Sequence, residues 1–333
     1  MTAQYRNNFD FLRFLGAALI IFSHSFALSL GYANIYEFDW HILIGQFGLA
    51  VLLVISGYLI PASWERLPDY KVFFRKRLLR IAPGLIVSIL VILFIIGPIA
   101  TDLTLTEYFA ALFSPATWTT LPFYTDGSAL GLFTTNPVTY VDAPLWAIPL
   151  EFFLYVVVAV MGIAGLLRYK NSMVPAIAVT VLLWAVCYML QPFDKIRFMI
   201  YFFIGAFLWI NRERIVYKWY AVAAMWLLAF MFFHTQVFYV FAFIAIPYTV
   251  IWFANLPLER LHNFGKYGDF SFGMFIYGYP LQQTIVHFMP SIEIWQLILL
   301  SFVFTVPVAV LSFYLIERHA LAKKDKIRTD KDL

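Results

Sequence analysis

Apolar runs near the ~20 residues needed to cross a hydrocarbon core recur along the whole chain, separated by short polar stretches. They fall at about 10–30, 44–63, 81–100, 146–167, 173–191, 197–211, 219–234, 236–254, 270–289 and 295–316, by the same ~20-residue criterion. The sixth is short, and almost nothing separates the seventh from the eighth. This pattern predicts an all-α polytopic membrane bundle of about ten transmembrane helices. No repeat, inverted or direct, is visible.

Charge orients the bundle. If both termini are cytoplasmic, all but two of the 23 basic residues fall on the inner side; the exceptions are Lys195 and Arg197. Basic residues concentrate in cytoplasmic loops, so this orientation is the expected one. The longest connection, about 101–145, is then external. It carries Asp102, Glu107, Asp126 and Asp142 but no Lys or Arg, and could lie as a lid over the outer mouth. Residues 1–321 are expected to form a single membrane domain, and 322–333 a charged cytoplasmic tail.

Composition agrees: 62% of the 333 residues are hydrophobic and only 13% charged, against about 25% in soluble proteins. The net charge of +4 reflects topology and implies no nucleic-acid partner. Arg6 before an apolar stretch resembles a signal peptide. That stretch carries Arg13 and His24 without a clear cleavage site, so it reads as an uncleaved first helix. The single cysteine, Cys187, lies inside an apolar segment and excludes an internal disulfide.

Ionisable residues within such segments are costly and point to function. Arg13 and His24 are eleven residues apart, within ~20° of three full turns and a rise of roughly 16.5 Å, so they share a helix face. An imidazole titrates near neutral pH and can act as a base. Glu151 lies a few residues into the fourth segment, at a depth similar to His24, and could orient the imidazole or share its proton. Tyr155 is one turn further on the same face.

Arg75, Arg77 and Arg80 precede the third segment. Arginine forks suit phosphate, although a basic flank also anchors any membrane helix. The ninth segment carries Ser271, Tyr277, Pro280 and the adjacent amides Gln282 and Gln283, which fit either a sugar-like ligand or helix packing. His41, His234, His262, His287 and His319 show no metal-ligand spacing, so no metal is expected. Phosphate-loop, nucleophile-elbow and dinucleotide motifs are absent from the sequence.

Together these motifs resemble the acyltransferase-3 family of integral membrane acyltransferases, which includes O-antigen and exopolysaccharide O-acetyltransferases. The resemblance spans the chain. It rests on Arg13-(ten)-His24, on Phe47 to Leu59 with Ser56-Gly57, on Arg77-x-x-Arg80-x-x-Pro83, on Trp146-(four)-Glu151 and on Ser271 through Pro280. The family's late histidine aligns with Gly278 here, and Pro149 interrupts the Trp-to-Glu motif. No fused extracytoplasmic domain fits in this length.

The resemblance implies transfer of an acetyl group from cytoplasmic acetyl-CoA to a sugar hydroxyl of a cell-envelope glycan, in the bacterial inner membrane. Implied catalytic residues are His24, Glu151 and Arg13. Arg75, Arg77 and Arg80 would meet the donor phosphates. Trp146, Tyr155, Ser271, Tyr277, Gln282 and Gln283 are candidates for substrate contact. The expected partners are membrane lipids and a glycan or lipid-linked sugar acceptor; oligomeric state is left open. A transporter of acyl groups, sugars or lipid-linked intermediates fits the same intramembrane charges.

Overall fold

The computed structural model describes residues 7–31, 34, 36, 38–115, 130–190 and 194–325, and among these the chain is helical with no strand. The helices are α1 (Phe9–Leu30), α2 (Trp40–Arg66), α3 (Tyr70–Ala100), α4 (Leu105–Leu112), α5 (Ala143–Ile163), α6 (Val174–Leu190), α7 (Arg197–Ile210), α8 (Trp219–Met231), α9 (Val237–Ala254), α10 (Ser271–Phe288) and α11 (Ile294–Lys323). Six of these, α1, α2, α3, α5, α9 and α11, are long and apolar enough to cross a membrane. Shorter apolar helices are α6, α7 and α8. Although α10 has 18 residues, Ser271, Gln282, Gln283 and Thr284 make it more polar.

Each apolar segment read from the sequence falls on a helix, but several boundaries move. Trp40, rather than residue 44, starts α2. More consequentially, α3 starts at Tyr70, so the basic stretch placed before the third apolar segment forms its first turns. Asp69 caps it, accepting from the Val72 backbone N–H. Hydropathy misses these turns because their side chains are cationic, although arginine and lysine are good helix formers. At the other end, α11 continues to Lys323, past the expected start of the tail at 322; residues 326–333 lie outside the described residues.

The centre is built on close backbone approach. A Cβ on Gly48 would stand 2.5 Å from the Gly16 carbonyl oxygen, where α1 meets α2. One on Gly57 would meet the Phe202 carbonyl oxygen at 2.0 Å, where α2 meets α7. Only glycine allows such contact, and small residues at the interface favour helix association in a membrane. The first two helices, α1 and α2, run antiparallel: Phe9 packs on Tyr58, and Phe26 on His41. From its other side, α1 is covered by α10 and α11.

Pro149 lies at the start of the α-helical part of α5. A 3-10 turn, Ala143–Trp146, precedes the α-helix that begins at Ala147. Pro149 therefore sits in the first α-turn, where its missing N–H would have had no helical partner.

Part of the long connection is ordered. Thr104 and Glu107 form a capping box on α4. The Tyr108 hydroxyl donates to the Leu93 carbonyl, in the π-helical turn of α3, at 2.7 Å. Tyr108, Leu112, Leu130, Leu132 and Phe133 pack with Ile92, Leu93 and Ile96 into a separate small core. This section caps one end of α3. Residues 116–129, which include Asp126, lie outside the described residues.

Candidate active site

Basic residues gather at one end of the bundle, which holds the start of α1, the end of α2 and the start of α3. Asp269, just before α10, binds them together. Arg13 Nε donates to its carboxylate at 2.9 Å and Arg80 at 2.7 Å, while the Ser271 hydroxyl donates to the other oxygen. Asp10, one turn before Arg13, also pairs with it. Glu317, in a π-helical turn of α11, lies 3.7 Å from Arg80. Burial alone would raise the Asp269 carboxyl, but the two guanidiniums outweigh it and hold the group well below its usual range.

A cavity of about 470 Å³ opens beside this network, lined by Arg13, Arg66, Arg77, Arg80, Ser56, Ser63, Glu151, Tyr155, Asp269 and Ser271 among apolar side chains. Four arginines face two carboxylates. Among the described residues neither Arg66 nor Arg77 pairs with a carboxylate, and Arg77 is the more buried of the two. It donates to Ser63 Oγ at 2.8 Å and rests near the rings of Phe73 and Tyr155, but its buried Nε has no hydrogen-bond partner. Glu151 accepts from Ser56 Oγ at 2.5 Å and from the Tyr155 hydroxyl.

A second cavity, also about 470 Å³, lies toward the opposite end. Its walls include Ser23, His24, Gln46, Trp146, Lys195 and Arg197. The two cavities share Leu49, Ala147 and Phe275, so they abut end to end at an apolar waist. The His24 ring meets Tyr279 edge-on at 5.1 Å, and no protein group hydrogen-bonds its nitrogens among the described residues.

Several expectations must be revised. His24 and Glu151 are not partners: each lines a different cavity, and Glu151 is already bonded to Ser56 and Tyr155. Comparable depth on two helices did not bring their faces together. Arg75 is exposed and lines neither cavity, because it points away from the α3 face that carries Arg77 and Arg80.

Gln282 and Gln283 are fully buried ties. The Gln282 amide donates to the Ile21 carbonyl and Ser25 Oγ, and the Gln283 amide to the Val138 and Tyr140 carbonyls. Tyr277 is also buried and lines neither cavity. Ser271, Tyr155 and Arg13 line the basic cavity; Trp146 lines the other. Gly278 explains the missing family histidine: a Cβ there would stand 2.9 Å from Ile21, so α1 occupies the space.

Residues not singled out from sequence include Asp269, Arg66, Gln46 and Glu317. Asp269 stands two residues before Ser271. Lys195 and Arg197 did carry a signal, as the two exceptions to the charge pattern. Asp142, just before Trp146, is buried with no partner for either carboxylate oxygen among the described residues. Burial pushes its carboxyl well above the usual range. No cluster of His, Cys, Asp and Glu that could hold a metal ion occurs among the described residues.

Comparison with known proteins now bears on this geometry. Residues 6–318 match the family model described as an acyltransferase domain, that of the acyltransferase-3 family. "Nodulation protein 10" of Rhizobium leguminosarum bv. viciae is 26% identical, with 98% of this chain and 95% of the relative aligned. An "O-acetyl transferase" of Shigella phage Sf6 is 25% identical, with 95% of this chain and 96% of the relative aligned. No solved structure matches.

Proposed function

We propose that this chain, which belongs to the acyltransferase-3 family, is a membrane O-acetyltransferase that moves an acetyl group from acetyl-CoA to a sugar hydroxyl of a cell-surface glycan such as O-antigen or exopolysaccharide. The observation that carries the reading is the pair of abutting cavities: one rich in arginine, the other holding an imidazole with no protein partner. The printed activity of the phage relative supports acetyl transfer to oxygen. The apolar helices and the family support a multi-pass membrane protein. We place it in a bacterial inner membrane, with both termini and the basic end cytoplasmic.

In this reading acetyl-CoA approaches from the basic end. Arg77, with Arg80 and Arg66 beside it, meets donor phosphate, and arginine suits that task. The pantetheine arm carries the thioester through the waist at Leu49, Ala147 and Phe275. The acceptor sugar enters the other cavity against Trp146. A His24 nitrogen accepts the hydroxyl proton as the sugar oxygen attacks the thioester carbonyl. The C–S bond breaks, and the leaving thiolate takes up the proton to give free CoA. Alternatively His24 takes the acetyl group first and passes it on.

Glu151, through Ser56 and Tyr155, shapes the donor side, and Asp269 fixes Arg13 and Arg80. Exposed apolar residues such as Ile86, Ile95, Ile99, Leu182 and Leu299 face lipid acyl chains.

Purified protein given acetyl-CoA and glycan should release CoA in step with acetyl ester formation, followed by a thiol assay and mass spectrometry. CoA binding without ester on any glycan, alongside transport of a sugar or acyl group in vesicles, would overturn the reading.

A further inference from the structure

The cavity that holds His24 also holds an amide whose two ends are placed differently. Gln46, in α2, lines that cavity. A polar side chain within an apolar span is costly, and serves either helix association or function. The Tyr239 hydroxyl, from α9, donates to Gln46 Oε1 at 3.4 Å, and this is the side chain's one hydrogen bond among the described residues. The carbonyl end is therefore held, while the NH2 end keeps two donors without a protein acceptor there. Gln282 is the contrast: its NH2 donates to the Ile21 carbonyl and Ser25 Oγ, which ties α10 to α1.

The packing of α1 on α2 sets the position of this amide. Gly45 is pressed so closely on the Ser23 hydroxyl that a Cβ there would overlap it. The next residue along each helix, His24 on α1 and Gln46 on α2, lines the cavity. Gln46 is also one turn from Leu49 on the same helix face. Leu49 belongs to the apolar waist that both cavities share. A fixed amide with open donors and an imidazole without a protein hydrogen-bond partner among the described residues thus stand at one mouth of the waist. Acyl transfer needs both: a base for the attacking oxygen, and a positioned donor for the carbonyl oxygen that becomes negative.

We propose that Gln46 is a catalytic residue whose Nε2–H donates to the thioester carbonyl oxygen as that oxygen becomes an oxyanion. The proposal rests on the acetyl-transfer reading. As the sugar oxygen attacks the thioester carbon, the C=O π pair moves onto the carbonyl oxygen and His24 takes the hydroxyl proton. On collapse the C=O bond re-forms, the C–S bond breaks, and the thiolate takes the proton from His24. Gln46 gives up no proton; its hydrogen bond strengthens as the charge develops. The same oxyanion forms if a His24 nitrogen attacks the thioester first, so either route uses the amide. Tyr239 is then a positioning residue, turning the NH2 end toward the cavity.

The test is steady-state kinetics of the purified full chain in nanodiscs. Acetyl-CoA is the donor, and surface polysaccharide of the source cell, de-O-acetylated with alkali, is the acceptor. Acetyl-CoA affinity and the thermal unfolding midpoint are measured on the same samples. Gln46→Met keeps the length and suits an apolar span but has no donor. Its kcat should fall about a hundred- to a thousandfold, with affinity and midpoint unchanged. Gln46→Glu still accepts from Tyr239 but has lost the amide donor, and should fall as far. Tyr239→Phe leaves the amide without its clamp and should lower kcat by only about tenfold, the scale of one neutral hydrogen bond.

A tie to Tyr239 that serves packing alone predicts Gln46→Glu near wild type, and equal losses in Gln46→Met and Tyr239→Phe. Either result would overturn the proposal. So would a kcat for Gln46→Met within about tenfold of wild type, or a loss that follows affinity or the unfolding midpoint instead of kcat. In each of these cases ester formation by the wild-type protein leaves the transferase reading standing. If the wild-type protein forms no ester on any glycan, the transferase reading fails first, and the oxyanion role falls with it.

Discussion

The two cavities have similar volumes but opposite polar economies. In the basic one, the charges around Asp269 are tied to one another: Arg13 and Arg80 to Asp269 and Arg80 also to Glu317, while Glu151 accepts from the hydroxyls of Ser56 and Tyr155. In the other, among the described residues, His24 has no hydrogen-bond partner and no carboxylate stands in the wall. A networked site holds its shape before ligand arrives. A site with open donors and acceptors is completed by what enters it. This difference fits the proposal that the first grips a large, chemically constant donor and the second takes the acceptor and the chemistry.

Breaking the network should have the largest effect. Asp269→Ala leaves Arg13 and Arg80 facing each other without their carboxylate, and loss of one buried partner costs about 3–5 kcal/mol. A lowered midpoint in thermal unfolding, together with lost CoA binding, would show it; wild-type stability would mean that the network contributes little. The pH dependence follows from the same group. Its folded carboxyl is held below the unfolded value of about 3.9, so its contribution is fully present above that pH and is lost only on falling through the lower folded value. Stability should thus stay flat, as far as Asp269 governs it, from neutral to about pH 5.

The next effect sharpens the contrast within the arginines. Arg77→Gln removes a buried cation of the proposed donor cavity that pairs with no carboxylate among the described residues. Acetyl-CoA affinity should fall about ten- to a hundredfold, the range of a hydrogen bond to a charged group, with little change in folding. Unchanged affinity by calorimetry would remove the donor phosphates from this end. The smallest effect is expected at Arg75, which is exposed and faces away from the cavity. Arg75→Gln should change stability and CoA affinity by no more than about 0.5 kcal/mol.

Much of this was legible in the chain. Hydropathy located the helices because membrane spans must be long and apolar. It misplaced the start of α3, since cationic side chains disguise helical turns that Asp69 caps. Helical spacing linked Arg13 to His24 correctly as residues of one helix, but it could not show that Asp269 would claim Arg13. Similar depth suggested a His24–Glu151 pair. Depth fixes only one coordinate, and the rotation of α5 about its axis turns Glu151 toward Ser56 instead. Gln282 and Gln283 fitted either a sugar-like ligand or helix packing; their partners are backbone carbonyls, Ser25 and Asn136, which no pattern reveals. The exceptions to a rule carried more information than its adherents, since Lys195 and Arg197 mark the second cavity.

The central claim is that chemistry takes place at His24, while the donor is gripped by the other cavity. The most direct measurement is His24→Ala in purified, folded protein, with acetyl-CoA affinity and glycan ester formation measured on the same sample. The account predicts affinity within about twofold of wild type, because the change lies outside the donor grip, and no ester above background. Wild-type ester formation by the variant would contradict it.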